Sequence, residues 1–305
     1  MSSQSFGYKV FGLRVISEIQ LPELISKEIE DTDAVTIRLG AVVAGGNEAG
    51  FFSAGAATVL NIPGIARYRV SDGRRIVVDP LPSALPGDVR LFLLGSAFGA
   101  LLLQRALLPL HANAIELDGE AVAFMGPSGI GKSTLAAWFH DRGFPVLADD
   151  VCVVRAGTGQ RSEVLPGLPR LRLRKDALTA TARRTGDYQR LFPSREDLEK
   201  FDVPLAASAT SLEPRQLRAI YLVKDDEQFS IAPLSGIQAM DAIFANTYRG
   251  QLLAEGEMTR SHFLSCCTLL KHTPIYSLRR PRGFAGFDEQ NLQILQHARD
   301  AVGRE

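Results

Sequence analysis

The chain has 305 residues, with 34 Lys and Arg balanced by 34 Asp and Glu, so its formal net charge is +0. That balance excludes the overall field that draws a protein to nucleic acid or to an anionic membrane, and any anion binding has to be local. Three cysteines, Cys152, Cys266 and Cys267, form no CxxC pair and no disulfide framework, which fits a reducing cytoplasm, and the length admits one large domain or two ordinary ones.

The start, "MSSQSFGYKVFGLRV", lacks the charged-then-apolar order of a signal peptide. Residues 8–86 carry short β-rich segments, "AVTIRLGAVV", "ATVLNI", "ARYRV" and "RRIVVD". The last two flank Ser71-Asp72-Gly73, and Asp-Gly between β-branched runs predicts a hairpin. We read residues 1–86 as a small β-rich domain, ended by the proline-rich "DPLPSALPGD", and residues 87–305 as a second, larger one. The apolar run "LFLLGSAFGALLLQ" that comes next is shorter than the roughly 18 residues of a spanning helix and predicts a buried helix.

"HANAIEL" and "EAVAFM" are apolar runs separated by Asp118-Gly119, a second two-residue hairpin turn. Pairing Leu117 with Glu120 and continuing inward sets His111 opposite Gly126. The chain then reads "GPSGIGKST", Gly126, Pro127, Ser128, Gly129, Ile130, Gly131, Lys132, Ser133 and Thr134, which has the spacing of a phosphate-binding loop between a strand and a helix. Such a loop aims backbone N–H groups and a helix N-terminus at an anion; its lysine reaches the phosphates and its serine ligates Mg²⁺. "STLAAWFHDR" predicts a helix with Leu135, Trp138 and Phe139 on its buried side and Gly143 as terminator, Trp138 being core rather than a base-stacking platform. "FPVLADD" predicts a strand that delivers Asp149 and Asp150 at its C-terminal end, where ligands bind in open α/β sheets. Phosphoryl transfer needs charge neutralisation and a group that orients or deprotonates the acceptor. The adjacent aspartates suit both tasks, with Asp150 on the metal beside Ser133 and Asp149 as base.

Arg170, Arg172 and Arg174, and the cluster "RRPRG" at 279–283, bunch as solvated faces do, with one of them available to phosphate. Residues 179–216 lose apolar periodicity and are read as a weakly structured lid, with Lys200 and Arg215 as candidate phosphate contacts. Beyond it "LRAIYLV" predicts a strand, "GIQAMDAIFANTY" and "SHFLSCCTLLKH" helices, "IYSLRR" an edge strand, and "FDEQNLQILQHARDAV" a terminal helix.

Over residues 111–173 the sequence resembles the HPr kinase/phosphorylase family: His111 before the loop, "GPSGIGKST", a short helix ending in "RGFPVLADD", then "PGLPRLRL". The resemblance implies an α/β fold, a P-loop kinase domain related to phosphoenolpyruvate carboxykinases, with ATP and Mg²⁺ as cofactors. It also implies transfer to a serine hydroxyl, Asp149 as acid/base, Asp150 near the metal, His111 in the active site, and Lys132 and Ser133 on phosphate and Mg²⁺. Thr134 stands where the family has an acidic residue, and Leu165-Pro166 where it has Glu-Arg, which argues against phosphorolysis. The whole-chain layout is similar to the HPr-kinase-like proteins of lasso peptide biosynthesis, which implies a precursor peptide ending in serine as partner; the charge balance and the short apolar runs point to no nucleic acid or membrane partner. HPr itself, a small-molecule acceptor and an ATP sensor without transfer are the alternatives, and the oligomeric state, a homo-oligomer included, is left open.

Overall fold

The structure is a computed structural model that describes residues 5–29, 33–43, 48–157, 161–192, 199–206, 210, 213–253 and 257–301. It is a mixed α/β protein with three sheets among the described residues. The first sheet is built from β1 (Phe6–Val10), β2 (Leu13–Ser17), β3 (Val35–Leu39), β4 (Gly50–Ala54), β5 (Ala57–Ile62), β6 (Ala66–Ser71) and β7 (Arg75–Pro80), in the order β1-β2-β3-β7-β6-β5-β4. Between β6 and β7, Asp72 and Gly73 both take positive φ, 57° and 58°, and the Arg74 N–H donates back to the Ser71 carbonyl at 3.1 Å. That is the geometry an Asp-Gly turn selects.

A long helical run comes next: α1 (Pro86–Phe92), a π-helical segment (Leu93–Ala97) and α2 (Phe98–Gln104). Proline at its first turn removes an N–H that has no partner there anyway. By length and composition Pro86–Gln104 passes for a membrane span, but 72% of that window is buried inside the protein. Its apolar face, Leu93, Phe98, Leu101 and Leu102, closes one core with Phe11, Val15, Tyr68 and Ile76 of the first sheet. Val151, Val153, Leu165 and Leu168 belong to the same core, and the Phe11 N–H donates to the Pro166 carbonyl at 2.8 Å. The first sheet is thus packed onto the helical run and onto Val151, Val153, Leu165 and Leu168.

The second sheet contains β8 (Leu108–Leu110), β9 (Ala112–Leu117), β10 (Glu120–Met125), then α3 (Lys132–His140), β11 (Val146–Ala148), β12 (Cys152–Arg155) and β13 (Glu163–Leu165). The third is small: β14 (Arg170–Arg174), then α4 (Lys175–Ala180), β15 (Gln189–Arg190) and β16 (Lys200–Pro204), in the order β14-β16-β15. The second sheet is completed by β17 (Arg215–Asp225), β18 (Ser230–Leu234), α5 (Gly236–Ala245), α6 (Glu257–His272), β19 (Ile275–Arg280) and α7 (Phe287–Asp300).

β10, β17 and β19 lie parallel in that order. Successive residues on them serve opposite layers. Val122, Phe124, Ala219, Tyr221 and Val223 pack under α3, α7 and β14, with Leu135, Phe139, Leu171 and Ile294. Ala121, Ala123, Met125, Ile220 and Leu222 pack under α5 and α6, with Ile243, Cys266 and Leu269. These strands are therefore covered on both faces.

Two readings from sequence are corrected here. "IYSLRR" is not an edge strand, because β19 pairs with β17 on one side and β18 on the other. The edge is β18, missed because Pro233 breaks its pattern, although an edge is where a strand tolerates proline. Residues 179–216 are not a structureless lid: Gln189–Arg190 and Lys200–Pro204 pair as strands, and Phe201 and Val203 alternate into the core beside Leu171 and Leu173. Residues 193–198, 207–209 and 211–212 of that stretch lie outside the described residues.

Candidate functional site

The β9–β10 hairpin sets the site's register. Asp118 and Gly119 turn the chain at φ 50° and 83°, and the ladder runs from Leu117↔Glu120 to Ala112↔Met125. His111 and Gly126 come directly after it at the open end. His111 is held there from behind, since its N–H donates to the Asn246 carbonyl at 2.7 Å and the Tyr248 N–H donates to the Pro109 carbonyl at 2.8 Å. Gly95 and Gly99 of the long helix make room for this: a Cβ on Gly99 would come within 3.0 Å of the Tyr248 ring, and one on Gly95 within 3.1 Å of its hydroxyl.

At Gly126 the backbone takes φ 153°, and a Cβ would stand 2.8 Å from the Val223 carbonyl oxygen, so the loop leaves β10 in a path only glycine takes. Gly129 and Gly131 are left-handed, and Gly131 caps α3. The first N–H groups of α3, at Lys132, Ser133 and Thr134, have no carbonyl ahead of them in the helix, which leaves a ring of donors for an anion. Asn113, fully buried on β9, donates from Nδ2 to the Lys132 carbonyl and pins that first turn to the sheet. Sequence reading missed Asn113; the signal was an amide between two alanines of a mostly apolar strand.

Ser128, Ile130, Lys132, Ser133 and Thr134 line a cavity of about 400 Å³, together with His111 and Asp150. Lys132 Nζ donates to the Gly126 and Pro127 carbonyls at 2.7 and 3.0 Å and lies 3.4 Å from His111 Nε2. Burial pulls the Lys132 ammonium down to about 8, against the upward pull of Asp149 and Asp150. Burial and the nearby Lys132 also pull His111 down to about 4, so its ring is neutral at pH 7.

The two aspartates occupy unlike surroundings. Asp149 is 7% exposed, and its Oδ1 accepts from the Ser133 hydroxyl at 2.8 Å while Oδ2 accepts from the Arg172 backbone N–H at 2.7 Å. Burial raises its pKa and those hydrogen bonds oppose the rise. Asp150, at φ 70°, turns toward the cavity. Burial pushes it up too, but Arg172, Lys200 and His111 outweigh that and hold it well below the usual carboxylate range. Its Oδ2 takes a charge-assisted bond from Arg172 Nη1 at 2.5 Å, and its Oδ1 lies 3.5 Å from Lys200 Nζ and 3.8 Å from His111 Nε2. Ser133 thus hydrogen-bonds Asp149, while Asp150, expected beside Ser133 on the metal, lines the same cavity.

Arg172 is the residue sequence reading misjudged most. It is 7% exposed rather than solvated, and with Arg170 it shares Asp202 of β16: Arg170 Nη1 meets Asp202 Oδ2 at 2.9 Å and Arg172 Nε lies 3.8 Å from Oδ1. Arg174 alone of the three is exposed. In the cluster at 279–283, Arg280 is likewise buried, whereas Arg279 and Arg282 are exposed and paired with Asp226 and Asp225. Of the two basic residues singled out in 179–216, Lys200 reaches the site. Arg215 does not; it pairs with Glu116 at 2.9 Å, at the N-terminal end of β17.

No group of three or more His, Cys, Asp or Glu side chains suited to a metal is present among the described residues. The donor set fits Mg²⁺ all the same, because that ion keeps several waters and substrate phosphate oxygens and needs only one or two protein oxygens. The Ser133 hydroxyl and the Asp150 carboxylate, which line the cavity, and the Asp149 carboxylate bonded to Ser133 are hard oxygen donors of that kind.

No protein-family model matches the sequence. No curated protein matches it either. Among solved structures the chain is similar to the HPr(Ser) kinase/phosphatase from Coxiella burnetii, at 13% identity over 63% of this chain and 88% of that one, with a TM-score of 0.33. A likeness of that size carries no functional argument, and the residues' roles rest on the geometry.

Proposed function

We propose that the protein is an ATP-dependent phosphotransferase that phosphorylates a serine hydroxyl on a peptide, with its kinase unit over residues 87–305. The observation that carries the reading is the joining of the loop to the aspartate pair: the Ser133 hydroxyl bonds Asp149 at 2.8 Å, while Asp150 faces the same cavity beside His111. Lys132 and the N–H groups of Lys132–Thr134 would bind the β- and γ-phosphates, and an anion there would restore the ammonium charge that burial weakens. Mg²⁺, held by Ser133 and Asp149, would supply charge neutralisation on the phosphates.

Asp150 takes the acceptor side. Its carboxylate orients the incoming hydroxyl, the serine Oγ–P bond forms as the bond to the ADP oxygen breaks, and the hydroxyl proton passes to Asp150. A low pKa does not disqualify it, because the hydroxyl loses its proton late in a loose transition state. His111, neutral and 3.8 Å away, positions Asp150. These assignments reverse the order expected from sequence, in which Asp149 was the base and Asp150 the metal ligand.

The acceptor is assigned from the sequence resemblance: a lasso peptide precursor ending in serine, in the cytoplasm. Mass spectrometry with ATP, Mg²⁺ and either that peptide or HPr tests it. One added phosphate on the terminal serine is expected; phosphate on HPr alone would move the acceptor, and none on either, with ATP bound, would favour a sensor or a small-molecule kinase. The roles separate by variant. Asp150→Asn is expected to lose transfer by about 10³-fold or more while keeping nucleotide affinity, and Asp149→Asn to weaken Mg²⁺-dependent nucleotide binding. Unchanged binding in Asp149→Asn alongside normal transfer in Asp150→Asn would restore the original order.

A further inference from the structure

The parallel strands β10, β17 and β19 end at one edge, so the loop after β19 stands two strands over from the phosphate loop. That loop, residues 281–286, lines the same cavity through Pro281, Arg282, Gly283 and Phe284, and Phe287 opens α7 behind it. Three contacts hold it in place. Arg282 pairs with Asp225 at the end of β17, the Arg280 guanidinium sits 4.7 Å over the Phe287 ring, and Phe287 meets Phe284 edge-on with ring centroids 5.6 Å apart at 70°. The result is a fixed phenylalanine that is 46% exposed, although it borders a cavity whose other wall is a phosphate loop.

An exposed aromatic ring, braced from behind and opening onto an anion site, is suited to a flat, weakly polar group covalently tied to phosphates. We infer that Phe284 is the platform on which the base of the bound nucleoside triphosphate stacks, with Phe287 as its brace. This deepens the phosphotransferase reading and rests on it. Stacking addresses the face of a base and not its hydrogen-bonding edge, so the platform accepts purines and pyrimidines alike. Arg282 is committed to Asp225, which leaves the ring face as the main reader of the base. The site is therefore expected to discriminate poorly: ATP, GTP and CTP should bind within about tenfold of one another.

The test compares ATP with inorganic tripolyphosphate, which carries the phosphates and no base, by calorimetry on the full chain with Mg²⁺. Phe284→Ala is expected to weaken ATP about tenfold, the usual scale of one stacked base, and to leave tripolyphosphate unchanged, with Phe284→Tyr restoring ATP affinity. Unchanged ATP affinity in Phe284→Ala would overturn the platform while leaving the phosphate loop standing. An equal loss for ATP and tripolyphosphate would also overturn it, because the ring would then support the loop and not the base. If the wild-type chain binds neither probe, the phosphate-loop reading fails and the platform falls with it.

Discussion

The cavity has two walls built on different principles. The wall of residues 126–134 is backbone: glycines at positive φ, helix N–H groups and one lysine, all within nine consecutive residues. Another wall is side chain: Asp150 after β11, Arg172 of β14 and Lys200 of β16, with Asp202 of β16 paired to Arg172, the last three lying 22 to 52 residues beyond Asp150 in sequence. The first wall presents backbone N–H groups and a single ammonium to the cavity; the second holds an ion network in which Arg172 is buried while Asp150, Lys200 and Asp202 stay partly exposed. A backbone wall is specified locally and fails locally. A side-chain wall couples the site to the stability of the fold.

The sharpest way to break this contrast is Arg172→Ala. It leaves Asp150 buried without its closest cation and Asp202 short of one partner, so it is expected to destabilise the protein by about 3–5 kcal/mol as well as to abolish transfer. Urea unfolding measures the first effect and turnover the second. A stability change below about 0.5 kcal/mol, typical of a surface substitution, would put Arg172 back among the solvated arginines and dissolve the distinction between the walls.

On the backbone wall the expected effect is smaller and concerns protons. With Lys132 at about 8 in the free protein, phosphate binding raises it, so ATP binding near pH 8–9 should take up a fraction of a proton and affinity should fall as pH rises through that range. Calorimetry in buffers of different ionisation enthalpy reads the uptake directly, and Lys132→Met should remove it. Proton release would show that the lysine is not the group meeting the phosphates.

A third effect belongs to His111, which stands between the walls. Its folded value of about 4 lies below the unfolded 6.5, so between those pH values the unfolded chain binds more protons. Stability from this group therefore rises with pH across the window, is complete above about 6.5, and is lost on acidification toward 4. His111→Asn should flatten the stability curve there by no more than about 1.4 kcal/mol per pH unit. An unchanged slope would mean that the ring is not buried among those cations.

What could be read from the sequence divides along the same line. The loop, the β9–β10 register and the placement of His111 arise from turn chemistry and two-residue alternation in neighbouring residues, and the aspartates from a strand ending beside them. Of the side-chain wall Asp150 and Lys200 were legible and the arginines were not, because a charged residue on a strand looks the same whether water or a distant carboxylate neutralises it. Arg170 and Arg172 became core residues only because Asp202 arrives on a strand 30 positions later, and β16 itself, five residues among charges, lacked the length to announce a strand. Arg215 failed for a related reason: membership of a charge-rich stretch says nothing of which end of β17 it occupies.

The core shared between the first sheet and the strands β12 and β13 sets a clock on biosynthesis. Strands β1 to β7 leave the ribosome able to complete their backbone ladder, yet Val151, Val153, Leu165 and Leu168, which close part of their apolar core, are still untranslated. At about 5–20 residues per second the wait is on the order of ten seconds. For that interval the nascent chain presents uncovered side chains around Phe11, and the turn that later meets Pro166 is a docking point without its partner. The seam that joins the two sheets in the finished protein is therefore also the surface that the growing chain must keep from aggregating.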